Sequence, residues 1–575
     1  MWYIENYKRH KREREALELL ASTENWLTPI QWRIDESLRL IWDADILTPA
    51  GNRPVSLRYP NHFPYSPPLV LPRGDRTRWS GHQYGPGGEL CLEYGPDNWH
   101  QDITGADMIA SAHRLLEGEE PAPGVAAEVS SRHKTTLGQD LRSVFGRLLL
   151  THALDEELRA FPEGVMAVAR TAVMYHPNDC AARVIASITL PNGRIWEDEA
   201  PDIETLGFEQ PVALFRWPSS LPFPATASLT EFRQAVLQEG LALPDVPYAV
   251  VVHGDNTRAF YLNVEGDTLS ESALIPPQPL ASRLDNDHMA LRERKVAMVG
   301  CGSLGSKVAV TLARSGVTHF LLVDDDLFLP DNIVRHDLDW REVGAHKANG
   351  IARRINLINP AAKCIVRRYR LGGQESSGAI EDLIDTLAEC DLMIDATAEP
   401  EVFNYLCAAV AVSKKPMMWA EVFGGGFGGL IARHRPGKEP DPASMRLAIE
   451  NWCCDQGKPM PRPAHRYGGV PRVPGIADDA DVSVIAAHAA RMAIDLLIPR
   501  DPSVFPHSVY LVGLAEGWIF DQPFETRPID VGAPALTESD KAEAEDEDEK
   551  KAEYERIGKL FSEFADAAAP GATGE

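Results

Sequence analysis

The sequence is poor in basic residues and has no long apolar run. Its 575 residues include 57 lysines and arginines against 84 aspartates and glutamates, which gives a formal net charge of −27. Nucleic acid and anionic membranes repel such a chain, so neither is expected as its main partner. No stretch of 18 or more apolar residues occurs, and the start, MWYIENYKRHKRERE, lacks the apolar segment of a secretory signal. We therefore expect a cytoplasmic protein.

Cysteine is sparse, and its spacing does not match the usual zinc sites. The eight cysteines lie at positions 91, 180, 301, 364, 390, 407, 453 and 454. No two of them have the two-residue spacing typical of structural zinc ligands, so a zinc-binding ligase module of the RING type is not predicted. Reduced cysteines mostly act as small buried apolar side chains. A nucleophilic role therefore needs support from the surrounding residues.

Length and patterning predict an α/β protein with several domains. A chain of 575 residues is longer than one hydrophobic core usually serves. Helical and alternating apolar patterns predict an α+β domain over residues 1–120 and a mixed domain over 121–283 that links or docks. An α/β nucleotide-binding domain is predicted over 284–530. Residues 531–575 are predicted to form a disordered acidic tail.

A glycine loop opens the third predicted domain. In VAMVGCGSLGSKVAVTLARSG, an apolar strand pattern is followed by Gly300, Gly302 and Gly305 and then by a helical pattern. This spacing permits a tight turn, close approach of the backbone to phosphate, and tight packing of the following helix. Asp324 lies 19 residues after Gly305, which suits an acidic residue that binds ribose hydroxyls. The loop alone also fits a nicotinamide-dependent dehydrogenase.

The segment VDDDLFLPDNIVRHDLDWREVGAHKANGIARRINLINP resembles the ubiquitin-activating enzyme superfamily, which includes the ThiF, MoeB and HesA proteins. The resemblance implies a Rossmann-like adenylating domain. It also implies that the nucleotide is bound by the glycine loop together with Asp324, Asp326, Asn332, Arg335 and Lys347. The aspartate of LMIDATAEP, Asp395, is implied to hold Mg²⁺. His336 stands where the family has a glutamine, which leaves that contact open.

The implied chemistry explains why these residue types are needed. In this family a protein's C-terminal carboxylate attacks the α-phosphate of ATP, and pyrophosphate leaves. Both reactants and the transition state are negatively charged, so cations are required. Arg335, Lys347 and a magnesium ion on Asp395 would neutralise this charge, while backbone N–H groups of the glycine loop bind phosphate. The resemblance also implies a homodimer.

An adjacent cysteine pair occurs in ENWCCDQGKPMPRPAHRYGGVPRVPG. Activating enzymes of the ubiquitin type capture the acyl group on a cysteine in a loop that crosses the nucleotide, and this segment lies where that loop is expected. Cys454 is the first candidate and Cys453 the second. Basic neighbours favour the reactive thiolate. The basic residues predicted to lie near the pair are Arg446, Lys458, Arg462, Arg466 and Arg472, and the acidic ones are Glu450 and Asp455. The alternative is a pair of structural cysteines.

Residues 1–120 resemble the ubiquitin-conjugating enzymes. The resemblance rests on YPNHFPYSPPLVLP after a strand meander and on GGELCLEYGPDNW before a helix. It implies that Cys91 carries a thioester. The His-Pro-Asn motif that precedes the cysteine in most eukaryotic members is absent from WSGHQYGPGGELC, so His82, Asn98 and His100 are the candidates for stabilising the oxyanion. The alternative is that Cys91 is a buried core residue.

With both resemblances in one chain, the sequence is similar to the bacterial fusion enzymes of CBASS antiphage systems and of related bacterial ubiquitin-like operons. They imply ATP-dependent adenylation of a protein modifier, thioester capture on the activating domain, transfer to Cys91 and conjugation to a target amine. The modifier would be a cGAS-like nucleotidyltransferase or a ubiquitin-like protein. Three alternatives are open: a sulfur-carrier adenylyltransferase with an idle Cys91, an NAD-dependent oxidoreductase, and a non-catalytic scaffold.

Overall fold

The structure, a computed structural model, divides the chain into two compact units, Met1–Ser143 and Val144–Glu575. The residues it describes are 1–49, 51–74, 78–85, 87–119, 137–142, 144–198, 206–224, 228–277, 284, 286–372, 377–460, 477–498, 500–534 and 547–568. Both units contain helices and strands, so the expectation of an α/β protein with more than one domain is confirmed. Residues 120–136 and 278–283 lie outside the described residues. The boundaries expected at 120 and 283 therefore stay predictions.

The first unit combines helices with one antiparallel sheet. Its helices are Trp2–Glu5, Tyr7–Thr23, Gly105–Gly118 and Leu137–Leu141. Its four strands pair in chain order as β1 (Leu27–Ile34), β2 (Leu40–Thr48), β3 (Gly51–Arg58) and β4 (Leu69–Pro72). A helix, a meander and a second helix were expected here in this order. The likeness to a ubiquitin-conjugating fold stays a prediction.

Alternation of side chains along the strands builds the core of this unit. Trp42, Ala44 and Ile46 are all buried, because every second residue of a strand faces the same side. The same core includes Trp2 near the start of the chain, whose ring centroid lies 4.5 Å from that of Phe63. Trp2, close to the start of the chain, is therefore part of the interior.

The second unit begins with a sheet of its own. The strand order is β5-β12-β11-β10-β9-β6-β7-β8, and β5 also pairs with β7. The strands are Gly146–Leu149, Met166–His176, Cys180–Thr189, Ile195–Glu197, Phe208–Trp217, Tyr248–His253, Asn256–Asn263 and Thr268–Ile275, which are β5 to β12. The helices His152–Arg159 and Leu229–Gln238 pack in two different core clusters against alternate residues of β9 and β10. This is the mixed character predicted for the middle of the chain.

A doubly wound sheet follows, with strand order β15-β14-β13-β16-β17-β18-β19-β20. The strands are Lys295–Val299, His319–Val323, Lys363–Arg367, Leu392–Asp395, Met417–Val422, Gly428–His434, Val509–Gly513 and Thr526–Ile529, which are β13 to β20. The run β15-β14-β13-β16-β17 is parallel, and the rest is antiparallel. The strand order reverses between β13 and β16, and such a switch point opens a crevice at the carboxyl ends of the strands.

Helices cover both faces of the doubly wound sheet. They are Ser303–Arg314, Lys347–Ile358, Ser377–Ala388, Pro400–Ser413, Pro442–Asp455 and Asp479–Leu497, with short 3₁₀ helices at Asn286–Glu293, Pro330–Asn332 and Trp340–Glu342. Consecutive strand residues such as Met298 and Val299 are both buried but belong to different core clusters. A strand covered on both faces reads as a continuous apolar run, as the sequence showed.

The acidic tail differs from the prediction of disorder. The structure has a helix of 22 residues, Glu547–Ala568, in this region. Its physical basis is a sequence rich in alanine, glutamate and lysine, which are strong helix formers. The described side chains of this helix are exposed. None of the helices in the described ranges is long and apolar enough to cross a membrane.

A buried carboxylate joins distant parts of the first unit. Glu13 is fully buried in the helix Tyr7–Thr23 and accepts hydrogen bonds from the Tyr59 hydroxyl at 2.8 Å and from the Gly105 N–H at 2.6 Å. Arg9 forms an ion pair with its other oxygen at 2.8 Å. A Cβ at Gly105 would lie 2.1 Å from the Tyr59 hydroxyl oxygen, so glycine is required at this contact. The network fixes the start of the helix Gly105–Gly118 to the helix Tyr7–Thr23.

We predict that Glu13→Ala destabilises the first unit by about 3–5 kcal/mol, because it leaves Arg9 buried without its partner and the Tyr59 hydroxyl unsatisfied. Glu15→Ala is the matched control, since Glu15 is exposed and pairs with Lys11 at 3.6 Å. Hydrogen exchange of the full chain should show faster exchange over Gly105–Gly118 in the first variant and unchanged exchange in the second. Equal exchange in the two variants would contradict this role.

Candidate active site

The glycine loop between β13 and the helix Ser303–Arg314 is fixed by close contacts. Gly300 has φ of +87°, a conformation that disfavours other residues. A Cβ at Gly305 would lie 1.9 Å from the Gly300 carbonyl oxygen, whereas a Cβ at Gly302 would meet no atom within 4 Å. Gly300 and Gly305 therefore shape the turn. Gly302 leaves space beside the first N–H groups of the helix, which lack partners within it.

A cavity of about 350 Å³ opens at this loop. Four residues predicted from the sequence line it, namely Gly302, Asn332, Arg335 and Lys347. The cavity lies at the carboxyl ends of β13, β16 and β17, which is the switch point of the sheet. The structure thus brings together residues that the sequence placed along a segment of more than 40 positions.

The two predicted acidic residues after β14 have different environments. Asp324 accepts hydrogen bonds from the Cys301 N–H at 2.7 Å and from the Asp326 N–H at 2.8 Å, one on each carboxylate oxygen. Burial raises the pKa of Asp324. Asp326 is exposed, and its carboxylate lies 2.5 Å from the Lys347 ammonium group. Asp324 therefore holds the glycine loop, while Asp326 orients Lys347.

Arg335 is the cation left for a ligand. It lines the cavity, and among the described residues no carboxylate forms an ion pair with its guanidinium group. Asn332 lies one turn before it, and the Asn332 side-chain oxygen accepts the Leu329 N–H at 3.0 Å. Asn332 thus stabilises the 3₁₀ turn that leads to Arg335. A half-buried guanidinium group in such a place attracts phosphate or carboxylate.

His336, at the position where the activating-enzyme family has glutamine, supports the glycine loop. Its Nε2–H donates to the Cys301 carbonyl oxygen at 2.7 Å, and its Nδ1 accepts the Leu338 N–H at 3.1 Å. Its ring centroid lies 5.0 Å from that of Phe328. Burial lowers the pKa of His336 to about 4, so the ring is neutral at pH 7. An amide side chain, such as that of glutamine, could donate the same hydrogen bond to the loop.

Two carboxyl groups, one buried and one half-buried, lie on neighbouring strands beside the cavity. Asp395 pairs in register with Trp419, so Asp395 and Glu421 are on the same side of the sheet. One oxygen of Asp395 accepts the Thr397 N–H at 2.9 Å and the Thr397 hydroxyl at 2.6 Å. Burial raises the pKa of Asp395 to about 6 and that of Glu421 to about 7, and the positive charge of Arg446 opposes both shifts.

Glu421, Thr397 and this placement of Arg446 were missed in the sequence. The only signal for Glu421 is a charged residue inside the apolar strand MMWAEV. Arg446 was assigned to the neighbourhood of the cysteine pair instead. In the described residues no group of three or more side chains that could hold a metal ion is found. Two protein carboxylates are enough to bind Mg²⁺ when phosphate oxygens of a substrate supply further ligands.

Comparison with known sequences agrees with this geometry. Residues 280–440 match the sequence model of the ThiF family. The chain carries a ThiF-family domain. The match spans the glycine loop, both acidic strand ends and Arg335.

Relatives share parts of the chain. The uncharacterized protein y4qC of Sinorhizobium fredii is 29% identical over 228 residues, 37% of this chain and 38% of that protein. The ATP-dependent ubiquitin transferase-like protein Cap2 of Escherichia coli is 32% identical over 133 residues, 22% of this chain and 21% of Cap2. The adenylyltransferase and sulfurtransferase UBA4 of Debaryomyces hansenii is 33% identical over 123 residues, 21% of this chain and 26% of UBA4. The matched regions thus span well under half of each relative.

The cysteine pair follows the matched residues 280–440 and lies in the last turn of the helix Pro442–Asp455, not in a loop as expected. The cause is a helical spacing that the sequence carries: Met445, Ile449 and Cys453 recur every four residues, and all three are buried. Burial raises the pKa of Cys453 to about 11. Cys454 is exposed. Cys454 is therefore the accessible member of the pair.

The predicted basic surroundings of the pair are only partly described. Arg446 lies 3.6 Å from Glu450 in the same helix. Arg462, Arg466 and Arg472 lie outside the described residues. The basic surroundings predicted for the pair therefore stay a prediction.

Cys91 of the first unit is 6% exposed. Its N–H donates to the His82 carbonyl oxygen at 2.7 Å, so the two residues are neighbours in space. The Asn98 amide accepts the Gly95 N–H at 2.8 Å and donates to the Glu93 carbonyl oxygen at 2.9 Å. Asn98 therefore holds its own loop. Of the three oxyanion candidates, His82 is the one with a described backbone contact to Cys91.

We predict that His336 makes the free energy of unfolding depend on pH. Its pKa is depressed to about 4, so the unfolded chain binds the extra proton first and stability is lost as the pH falls from about 6.5 to 4. His336→Gln keeps one N–H donor and has no charge to gain. Over this range the wild type should therefore lose on the order of 2 kcal/mol more than the variant. Urea unfolding at each pH measures the difference, and parallel curves would contradict the assignment.

Proposed function

We propose that the ThiF-family domain uses ATP to adenylate the C-terminal carboxylate of a protein modifier. The observation that carries the proposal is the position of Arg335, a cation without a described ion-pair partner, at a cavity bounded by a glycine loop. ATP and a protein carboxylate are both anions, so a site that joins them needs unpaired positive charge. The names of Cap2 and UBA4, an ATP-dependent transferase-like protein and an adenylyltransferase, support the same reaction class.

The proposed step divides the charge among several groups. An oxygen of the carboxylate attacks the α-phosphorus of ATP, the bond to the β-phosphate oxygen breaks, and pyrophosphate leaves with the electron pair. The N–H groups beside Gly302 bind phosphate oxygens, and Arg335 and Lys347 neutralise the charge that develops. Asp326 keeps Lys347 in place. Asp395 and Glu421 offer oxygen ligands for Mg²⁺, which would add charge neutralisation at the phosphates.

We expect Arg335→Ala to slow the ATP–pyrophosphate exchange that depends on the modifier by roughly 100-fold or more, as for loss of one group that stabilises transition-state charge. Arg341→Ala is the matched control, because Arg341 is exposed and pairs with Asp339 at 2.7 Å. Exchange is followed with labelled pyrophosphate. Exchange that survives in Arg335→Ala would overturn this role, and NAD binding without any exchange would favour the oxidoreductase alternative.

We propose further that the acyl group moves from the adenylate to Cys454 and then to Cys91, which delivers it to a target amine. The exposure of Cys454 and the burial of Cys453 support this order of preference on the activating side. The proposed modifier is a cGAS-like nucleotidyltransferase or a ubiquitin-like protein, in an antiphage role, and the proposed assembly is a homodimer. The sulfur-transfer activity in the name of UBA4 keeps one alternative, an adenylyltransferase in which Cys91 is idle.

This transfer through Cys454 and Cys91, which we call the relay, predicts two different defects. With ATP, Mg²⁺ and candidate modifiers encoded beside this chain, Cys454→Ala should abolish the reductant-sensitive adduct, whereas Cys453→Ser should keep it. Cys91→Ala should keep the adduct and lose conjugation to amines. Intact mass with and without reductant measures each product. An adduct that persists when all three cysteines are replaced would refute the relay, and full activity of Cys91→Ala would favour the sulfur-carrier alternative.

A further inference from the structure

Trp518 follows β19 in an unusual backbone conformation. Its φ is +51°, a region that bulky residues rarely occupy. Its indole N–H lies 3.1 Å from the Lys458 carbonyl oxygen and 3.0 Å from the Pro459 carbonyl oxygen. Backbone strain of this kind persists only when the surrounding structure enforces it. The indole therefore clamps the chain just after the helix that ends at Asp455.

The same ring contacts the wall of the nucleotide cavity. Phe423 lines the cavity, and its ring centroid lies 5.2 Å from that of Trp518 at an interplanar angle of 77°. Phe427 stacks on Phe423 at 5.5 Å. Edge-to-face and stacked aromatic pairs have preferred geometries, so these contacts restrict how the three rings are oriented. One side chain thus touches both the cavity wall and the segment at Lys458.

Short hydrogen bonds connect that segment to the cysteine pair. The Gly457 N–H donates to the Cys454 carbonyl oxygen at 2.8 Å, and the Lys458 N–H donates to the Cys453 carbonyl oxygen at 3.0 Å. Gly457 has φ of +68°, which closes the turn in a conformation that glycine adopts readily. The path from the cavity to Cys454 therefore runs through Phe423, Trp518, Lys458 and one tight turn.

We infer that Trp518 is a positioning residue for acyl transfer to Cys454. The inference rests on the proposed adenylation. In the transfer, the Cys454 sulfur attacks the carbonyl carbon of the acyl-adenylate, the C–S bond forms, the C–O bond to AMP breaks, and AMP leaves with the electron pair. The thiol proton passes to solvent. Such a step depends steeply on placement, since an error of about 1 Å can cost 100-fold.

Adenylation itself makes no use of this contact. Its proposed groups are the glycine loop, Arg335 and Lys347, none of which touches the indole N–H. A change that removes only this donor should therefore separate the two steps. A residue that merely stabilised the fold would affect them together.

The test compares Trp518→Phe, which keeps an aromatic ring and loses the N–H, with wild type and with Trp340→Phe, a change at an exposed tryptophan outside the site. ATP–pyrophosphate exchange and the rate of the reductant-sensitive adduct are measured on the full chain. We expect exchange within twofold of wild type and adduct formation slowed at least tenfold in Trp518→Phe only. Gly457→Ala, which strains the turn from the other side, should give the same split.

Two outcomes in the variants would overturn the inference: equal loss of both rates in Trp518→Phe, which would make the residue part of the cavity's structure, or no loss of either. Circular dichroism of the variant accompanies the rates, so that an unfolded chain is recognised, and Gly457→Ala then decides the question alone. A wild-type chain without exchange would refute the proposed function, and the inference with it.

Discussion

The nucleotide site depends on the contact between residues 300 and 305. Because the Gly300 carbonyl oxygen occupies the place of a Cβ at residue 305, the helix can start directly at the end of β13. The Cys301 peptide inside this turn is held from both sides, its N–H by Asp324 and its carbonyl by His336. These bonds link the loop to the strand end of β14 and to the segment with Arg335. The cation and the phosphate-binding N–H groups therefore keep one fixed relation.

This dependence explains what the sequence could predict. The glycine loop, Arg335 and Lys347 lie within one stretch of chain, and the carboxyl ends of parallel strands meet at one edge of the sheet. Spacing identified the glycine loop, and the resemblance to the activating enzymes implied Arg335 and Lys347. The role of His336 was not predictable, because a buried neutral ring that donates one hydrogen bond resembles a surface histidine in sequence.

Other parts of the site depend on distant pairing. Glu421 reaches the cavity through the register of β16 with β17, in which Asp395 is opposite Trp419. Trp518 contacts Phe423 of the cavity wall from beyond β19, almost a hundred residues further along the chain. No local pattern encodes such contacts, since each depends on how the sheet assembles. The helix that carries the cysteine pair was predictable from the spacing of its buried residues, although the resemblance to the activating enzymes implied a loop there.

The burial of Trp2 and Glu13 makes the first unit depend on the first residues of the chain. Both residues lie near the start of the chain, yet the Trp2 ring packs in the core of the first unit and Glu13 fixes a helix more than ninety residues away. Removal of residues 1–13 would leave a cavity beside Phe63 and would leave the Gly105 N–H without its carboxylate acceptor.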